Sequence, residues 1–314
     1  MYYVAHRLFA AHDRALAAQL AQRLASKTTS ENVFLPFCDT DEEDLITEMK
    51  GRRLFELDRE RLEALTAMVA VLHGPSLDDG VCMEMGYAHA LGVPVVVVTT
   101  DFQTYSLGPT GPLLNFPDPI VEVAATHIVR VSRLGAVTVA GAPASRFAGF
   151  RDRNDSQVDQ ALDATVQRLL DLPDRHSKTP AFRGAGDRTV FVEQSPYLTS
   201  RNELTGLPAP LDHTIHVPTR FGAPDPLAAA RDDLARAQEA SVLVADVSGP
   251  ETPPGAALLI GAAAARGIRI AAYQPRLTLT HAHGREPNWR NLMIQYAVSA
   301  QVSSREALDD WLRS

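Results

Sequence analysis

The chain predicts an α/β fold, two doubly wound parallel-sheet units in tandem, and three observations carry that expectation. Apolar runs of strand length alternate with helical stretches along the 314 residues, the pattern of strands laid parallel with helices on both faces. The run Val95-Val96-Val97-Val98 has no polar alternation, as a strand buried on both faces requires. A strand, turn and helix also recur 175 residues apart, so that Gly80, Gly86 and Gly92 return as Gly255, Gly261 and Gly267, and self-similarity at a fixed offset marks a repeated structural unit.

In chain order, the first unit predicts a strand at Tyr2–Ala5, a helix over about Asp13–Ser26, and a strand at Val33–Pro36. A helix over about Asp58–Leu65, the strand Met68–Leu72, the helix Gly80–Leu91 and the strand Pro94–Thr99 follow. After a Gly/Pro-rich loop come a strand near His127–Val131 and a helix over about Ser156–Leu172. Pro173–Asp187 mixes Pro, Gly, Ser and charge and reads as a linker, which divides the chain into domains 1–172 and 188–314, a count that suits its length. The second unit opens with the strand Thr189–Val192, then Thr214–Val217, then a helix Pro226–Ala237 with proline near its start. Its copied segment comprises Ser241–Ala245, a Pro-rich loop to Pro254, Gly255–Gly267 and the strand Ile268–Ala272. Helices at Trp289–Ser299 and from Ser304 close the chain, while Pro196–Asp212 lacks the clear helix of Asp13–Ser26.

Composition narrows the function classes. Hydrophobic residues at 45% suit a globular chain, and a net charge of -8 argues against a nucleic-acid surface. No run of about 18 apolar residues predicts a membrane span. Met1–Ala5 starts directly as a strand, without the basic and apolar regions of a signal peptide. Two cysteines, Cys38 and Cys82, build neither a disulfide framework nor a metal site. A cytoplasmic setting is expected, with no metal and no cofactor.

The chemistry concentrates at Glu84. In an α/β unit ligands sit outside the carboxyl ends of the strands, where the next helix presents unpaired N–H groups. Glu84 falls in the first turns of such a helix, Gly80 permits close backbone approach, and Asp78 and Asp79 close the loop before it. Three carboxylates within seven residues at a strand's mouth are hard to explain by packing, although acids also favour a helix N-terminus for electrostatic reasons alone. In the second copy Leu259 stands at the register of Glu84 and Pro253 at that of Asp78, whereas Asp233 repeats Asp58. The second copy therefore has a scaffold's residues.

The segment Asp58–Gly92, and within it Gly-x-x-Met-Glu-x-Gly-Tyr-Ala, resembles the nucleoside 2-deoxyribosyltransferases and the related nucleoside 5′-monophosphate N-glycosidases. The resemblance implies a flavodoxin-like (Rossmann-like) fold in both units. It makes Glu84 the nucleophile at the anomeric carbon, Asp78 the carboxylate that orients the sugar hydroxyls, Asp58 the acid that serves the departing base, and Tyr3 the residue that holds the nucleophile. Gly80 and Met83 of the motif are implied at the substrate. Asn291-Leu292-Met293 resembles the family segment that completes a neighbour's pocket, with its counterpart in the first unit near Asn115. An intrachain pseudo-dimer follows, in which the degenerate half supplies Asn291, with association into a homo-oligomer left open.

The chemistry asks for this equipment. N-glycosidic cleavage passes through an oxocarbenium-like state, which an ionised carboxylate stabilises and captures as an ester, while a protonated carboxyl assists the leaving base. The leading expectation is transfer of a 2-deoxyribosyl group from a nucleoside to a free nucleobase. Hydrolysis of a nucleoside or its monophosphate is the alternative, and a non-catalytic nucleotide sensor a third. His6 and Arg7 depart from the small residues usual after the family's first strand. Arg7 suits a 5′-phosphate by its bidentate fork, or is a solvated residue beside a packed His6, and Asp78 favours an unphosphorylated sugar. His281 and His283 lack a carboxylate at ligand spacing and read as surface residues, Cys82 as helix packing, and Asp39, Asp41, Glu42, Glu43 and Asp44 as a solvated turn.

Overall fold

A computed structural model of the chain describes residues 1–40, 48–172, 189–194, 204, 213–275 and 289–314. The expected linker Pro173–Asp187, the acidic residues 41–44, and His281 and His283 lie outside the described residues, as does all of Pro196–Asp212 but Leu204.

The N-terminal half carries β1 (Tyr2–Ala5), α1 (Ala11–Lys27), β2 (Val33–Phe34), α2 (Glu48–Glu63), β3 (Ala67–Val71), α3 (Asp79–Ala90), β4 (Val95–Thr99), α4 (Pro119–Ala124), β5 (His127–Arg130) and α5 (Arg146–Leu170). The C-terminal half carries β6 (Thr189–Glu193), β7 (Thr214–His216), α6 (Pro226–Glu239), β8 (Val242–Asp246), α7 (Pro254–Ala265), β9 (Arg269–Tyr273), α8 (Leu292–Ala297), β10 (Ala300–Val302) and α9 (Arg305–Arg313). Each half builds one five-stranded sheet, β2-β1-β3-β4-β5 and β7-β6-β8-β9-β10, with every pairing parallel. The two orders are the same 2-1-3-4-5 order, that of a flavodoxin-like doubly wound sheet.

Period-two alternation sorts the strand residues into layers. Tyr3, Ala5, Met68, Ala70, Val95 and Val97 face a cluster shared with α2, α3 and α4, whereas Val4, Val69, Val71, Val96 and Val98 face α1 and α5. In the other sheet Phe191, Leu243, Ala245, Ile270 and Ala272 join the first of these clusters, so one apolar core runs through both halves. Helices α3 and α7 cross at its centre. A Cβ on Gly86 would stand 1.8 Å from the Leu258 carbonyl oxygen, and one on Gly261 1.9 Å from that of Met83. Only glycine admits backbones this close, and the reciprocal pairing gives the contact the form of a two-fold interface.

Four elements differ from expectation. α2 begins ten residues earlier than Asp58, because Leu54, Phe55 and Leu62 form a buried stripe on which Asp58 itself lies. α5 likewise starts at Arg146, where Ser145 accepts from the Ala148 N–H at 3.1 Å. α4 arises inside the expected loop, since Asp118 caps it and Pro119 occupies its first turn. The single helix expected at Trp289–Ser299 is instead the short α8 followed by strand β10. Among the described residues no helix is long and apolar enough to cross a membrane.

Candidate active site

A cleft of about 690 Å³ opens where the carboxyl ends of β1 and β3 meet the start of α3, the usual location for a ligand in this architecture. It brings together Glu84, Asp58, Asp78, His6, Gly80 and Asn291. Leu8, Phe9, Pro36 and Val81 add apolar wall, and Arg290, Leu292 and Met293 arrive with Asn291 from the C-terminal half.

Each side chain is held by its element. Tyr3 points from β1 into the core, and its hydroxyl donates to Glu84 Oε1 at 2.6 Å with both groups buried. Glu84 stands in the second turn of α3, which Asp78 caps by accepting from the Val81 N–H at 2.9 Å. Asp58 reaches the same cleft from the buried stripe of α2. Gly80 leaves the room that Asn291 takes: a Cβ there would meet Asn291 Nδ2 at 2.6 Å and Asp78 Oδ1 at 3.2 Å.

Charge is arranged around these groups with little waste. Arg7 pairs with Asp78 at 3.5 Å and donates to the Ser76 carbonyl at 3.1 Å, outside the cleft lining. His6 contacts the Val4 carbonyl through Nδ1 at 3.2 Å, and because a carbonyl oxygen only accepts, the proton belongs on Nδ1 and Nε2 is left as acceptor. Burial lowers its pKa and favours that neutral ring. Asp79, turned to the C-terminal half, accepts from the Thr252 N–H at 3.0 Å. Burial, with Asp78 beside it, pushes its carboxyl up to about 7. Burial and Asp78 also raise Glu251.

Two expected site residues stand elsewhere. Met83 is fully buried at the α3–α7 crossing, outside the cleft lining, with its carbonyl against Gly261. Asn115 is committed to its own neighbourhood: its backbone and side-chain N–H groups donate to Glu122 at 2.7 and 2.8 Å, and its oxygens accept from Arg130. The structural counterpart of Asn291 is Asp118. Each caps a six-residue helix, Asn291 by accepting from Met293 N–H and Asp118 from Ile120 N–H, both at 3.0 Å.

That counterpart leads to the corresponding corner of the other half, which is filled. Phe191 sits where Tyr3 sits, since Tyr3 pairs with Met68 and Phe191 with Leu243, so the hydroxyl and the Glu84 carboxylate are both absent from the Phe191–Leu259 pair. Arg220 occupies the space over Gly255, whose added Cβ would meet Asp118 Oδ2 at 2.2 Å and Arg220 Nη2 at 2.5 Å. Its guanidinium donates to Asp118 at 2.7 and 2.9 Å, to Glu193 at 2.6 and 3.1 Å, and to Asp233 at 3.4 Å. Burial works against that charge, but Asp118 and Glu193 more than offset it and hold the pKa well above its ordinary value.

Arg290, Phe9 and Arg220 are the residues that sequence reasoning missed. Arg290 directly precedes Asn291, and Phe9 follows His6 by three residues at an exposed apolar position, signals that proximity to marked residues carries. No signal marked Arg220. Among the described residues no group of three or more His, Cys, Asp or Glu side chains is placed to hold a metal ion.

A crystal structure of a conserved protein from Enterococcus faecalis V583 is 30% identical over a match covering 32% of this chain and 64% of that one, with a TM-score of 0.28. No curated protein matches the chain. The family model of nucleoside 2-deoxyribosyltransferase matches residues 2–162, a span that holds β1 through most of α5 and with them Tyr3, Asp58, Asp78 and Glu84, and the chain belongs to the nucleoside 2-deoxyribosyltransferase family.

Proposed function

We propose that the protein cleaves the N-glycosidic bond of an unphosphorylated 2-deoxynucleoside at Glu84 and transfers the sugar to another nucleobase. The observation that carries this reading is the 2.6 Å bond from Tyr3 to Glu84 in a cleft that also holds Asp58 and Asp78. Tyr3 fixes one carboxylate oxygen and leaves the other to attack C1′. As the Glu84–C1′ bond forms, the C1′–N bond breaks, and Asp58, entering protonated, gives its proton to the departing base. A second base then attacks C1′, Glu84 leaves as carboxylate, and the incoming base returns a proton to Asp58.

Residues 1–172 form the catalytic domain in this reading, and residues 188–314 a degenerate copy that completes its site through Asn291. The Phe191–Leu259 pair and the Arg220 that fills the corresponding corner support that division. Arg7 is engaged by Asp78 and Ser76, and carboxylates at Asp78, Asp79 and Glu251 surround this end of the cleft, which supports an uncharged sugar over a nucleoside monophosphate.

A 2-fluoro-substituted nucleoside tests the reading, because an electron-withdrawing group slows breakdown of the ester. Intact mass spectrometry is expected to find one sugar per chain, mapped to Gly80–Gly92, and discharged faster by a free base than by water. Discharge indifferent to the base makes the protein a hydrolase, and binding without any adduct makes it a sensor.

A further inference from the structure

Arg290 is 1% exposed and lines the candidate cleft. Nε donates to the Val247 carbonyl at 2.9 Å, and Nη2 donates to Val247 at 2.6 Å and to Gly249 at 3.0 Å. These bonds tie the segment before α8 to the loop after β8. The third nitrogen, Nη1, is buried and makes no hydrogen bond. A guanidinium whose N–H groups are taken from water without a partner is costly to keep, and a smaller donor would serve the two carbonyls. The spare nitrogen belongs to a side chain in the wall of the cleft, so the partner it lacks is one that a ligand can bring.

Position selects the ligand atom. Asn291 lies over Gly80 at the start of α3, and Glu84 is four residues on, one helical turn or about 6 Å along the axis. A furanose whose anomeric carbon meets Glu84 and whose ring extends along α3 directs its exocyclic hydroxymethyl group toward Gly80, Asn291 and Arg290. The carboxylates of Asp78 and Asp79 flank that end and oppose a second anion there, whereas a neutral oxygen can accept from a cation among them.

We propose that Arg290 is a specificity-determining residue, supplied by the C-terminal half, whose Nη1 donates to the 5′-oxygen of a nucleoside bearing a free 5′-hydroxyl. This rests on the proposed N-glycosidic activity at Glu84 and adds the residue that reads the far end of the sugar.

The test compares a 2-deoxynucleoside, its 5′-deoxy analogue and its 5′-monophosphate on the wild-type protein and on Arg290→Lys. Lysine keeps a cation and donors for Val247 and Gly249 but has no second nitrogen to spare. In the wild type, loss of the 5′-hydroxyl is expected to lower kcat/KM by about 10- to 100-fold, the range for one charge-assisted hydrogen bond. In Arg290→Lys the hydroxyl substrate is expected to fall by a similar factor, the 5′-deoxy analogue to hold steady, and their ratio to approach one. A merely structural role for Arg290 lowers both substrates together and leaves the ratio intact, which overturns the proposal while the catalytic reading stands. A wild type indifferent to the 5′-hydroxyl overturns it without any variant, and so does a monophosphate preference that Arg290→Lys abolishes. If the wild type turns over no nucleoside, the catalytic reading has failed, and the same ratio is read from calorimetric binding of the three compounds. Absence of binding then overturns the Arg290 proposal as well.

Discussion

Gly86 lies so close to Leu258 that a single added carbon would reach within 1.8 Å of the Leu258 carbonyl oxygen, and Gly261 repeats the relationship against Met83. The two helices therefore touch through backbone, two turns along α3 from the cleft. Both halves deliver residues to that cleft, Glu84 from α3 and Asn291 from the start of α8, so the crossing distance between α3 and α7 sets how the two meet.

Gly86→Ala is expected to force α3 and α7 apart, since the obstructing atoms are backbone and cannot rotate away. Overpacking of this kind costs about 3 kcal/mol. Gly261→Ala is expected to match it, because its Cβ meets the Met83 carbonyl in the same manner. Gly108→Ala is the control, with nothing within 4 Å of its added carbon. Chemical denaturation of the three variants checks the order, and equal midpoints for Gly86→Ala and Gly108→Ala would contradict the close crossing.

Tyr3→Phe is expected to keep the fold, since Phe191 occupies the same register in the other sheet. Its loss removes the donor at 2.6 Å from Glu84. A hydrogen bond to a charged group is worth about 1.5–3 kcal/mol, so kcat for nucleoside turnover is expected to fall by about 10- to 100-fold. Phe191→Tyr is expected to change nothing, because Leu259 offers no acceptor. Steady-state kinetics alongside a thermal melt separate the two effects, and full turnover in Tyr3→Phe would remove Tyr3 from the mechanism.

The sheets were legible because burial on both faces writes itself as unbroken apolar strands such as Val95–Val98, and the repeat because glycines recur at one offset. Glu84, Asp78 and Gly80 were legible as a cluster because they lie along one short stretch of chain. Asp58 was visible as a residue but misplaced as a helix start, since a polar group on an otherwise apolar stripe looks like a boundary. Asn115 was chosen by its resemblance to Asn291, whereas the cap geometry that defines the counterpart belongs to Asp118, hidden in a Pro-rich stretch that reads as loop although Asp118-Pro119 is a helix-start signal. Arg220 and Arg290 were out of reach because their partners, Asp118 and Glu193 for one and two loop carbonyls for the other, are set by tertiary packing.

The contact between Asp79 and Thr252 makes stability depend on pH. Asp79 has its ordinary carboxyl pKa of 3.8 when unfolded and about 7 when folded, so the folded state binds the extra proton between those values. Stability from this group is fully present below about pH 4 and is lost as pH rises through 7. Asp79→Asn removes the penalty while its amide oxygen still accepts from Thr252 N–H. The variant is expected to melt above the wild type at pH 8 and to lose that advantage toward pH 4. Parallel melting curves across that range would show that Asp79 ionises freely in the folded protein.

Arg220 neutralises three buried carboxylates, and two of them, Glu193 and Asp233, belong to its own half while Asp118 belongs to the other. Removing the cation in Arg220→Met leaves that group of acids without compensation, a change expected to cost about 3–5 kcal/mol. Burial already raises the Glu193 pKa against the opposing pull of Arg220, and without Arg220 the rise must grow. A raised folded pKa confers stability below it and withdraws stability above it, so Arg220→Met is expected to melt lowest at pH 8 and to recover toward pH 5. Low-millimolar guanidinium chloride is expected to raise its melting temperature relative to equal sodium chloride by refilling the vacated site, with no such gain in the wild type. Adding Asp118→Asn and Glu193→Gln to Arg220→Met is expected to restore stability at pH 8 by neutralising the group covalently. A single variant as stable as the wild type at pH 8, and unmoved by guanidinium, would show that the ionic cluster does not join the two halves.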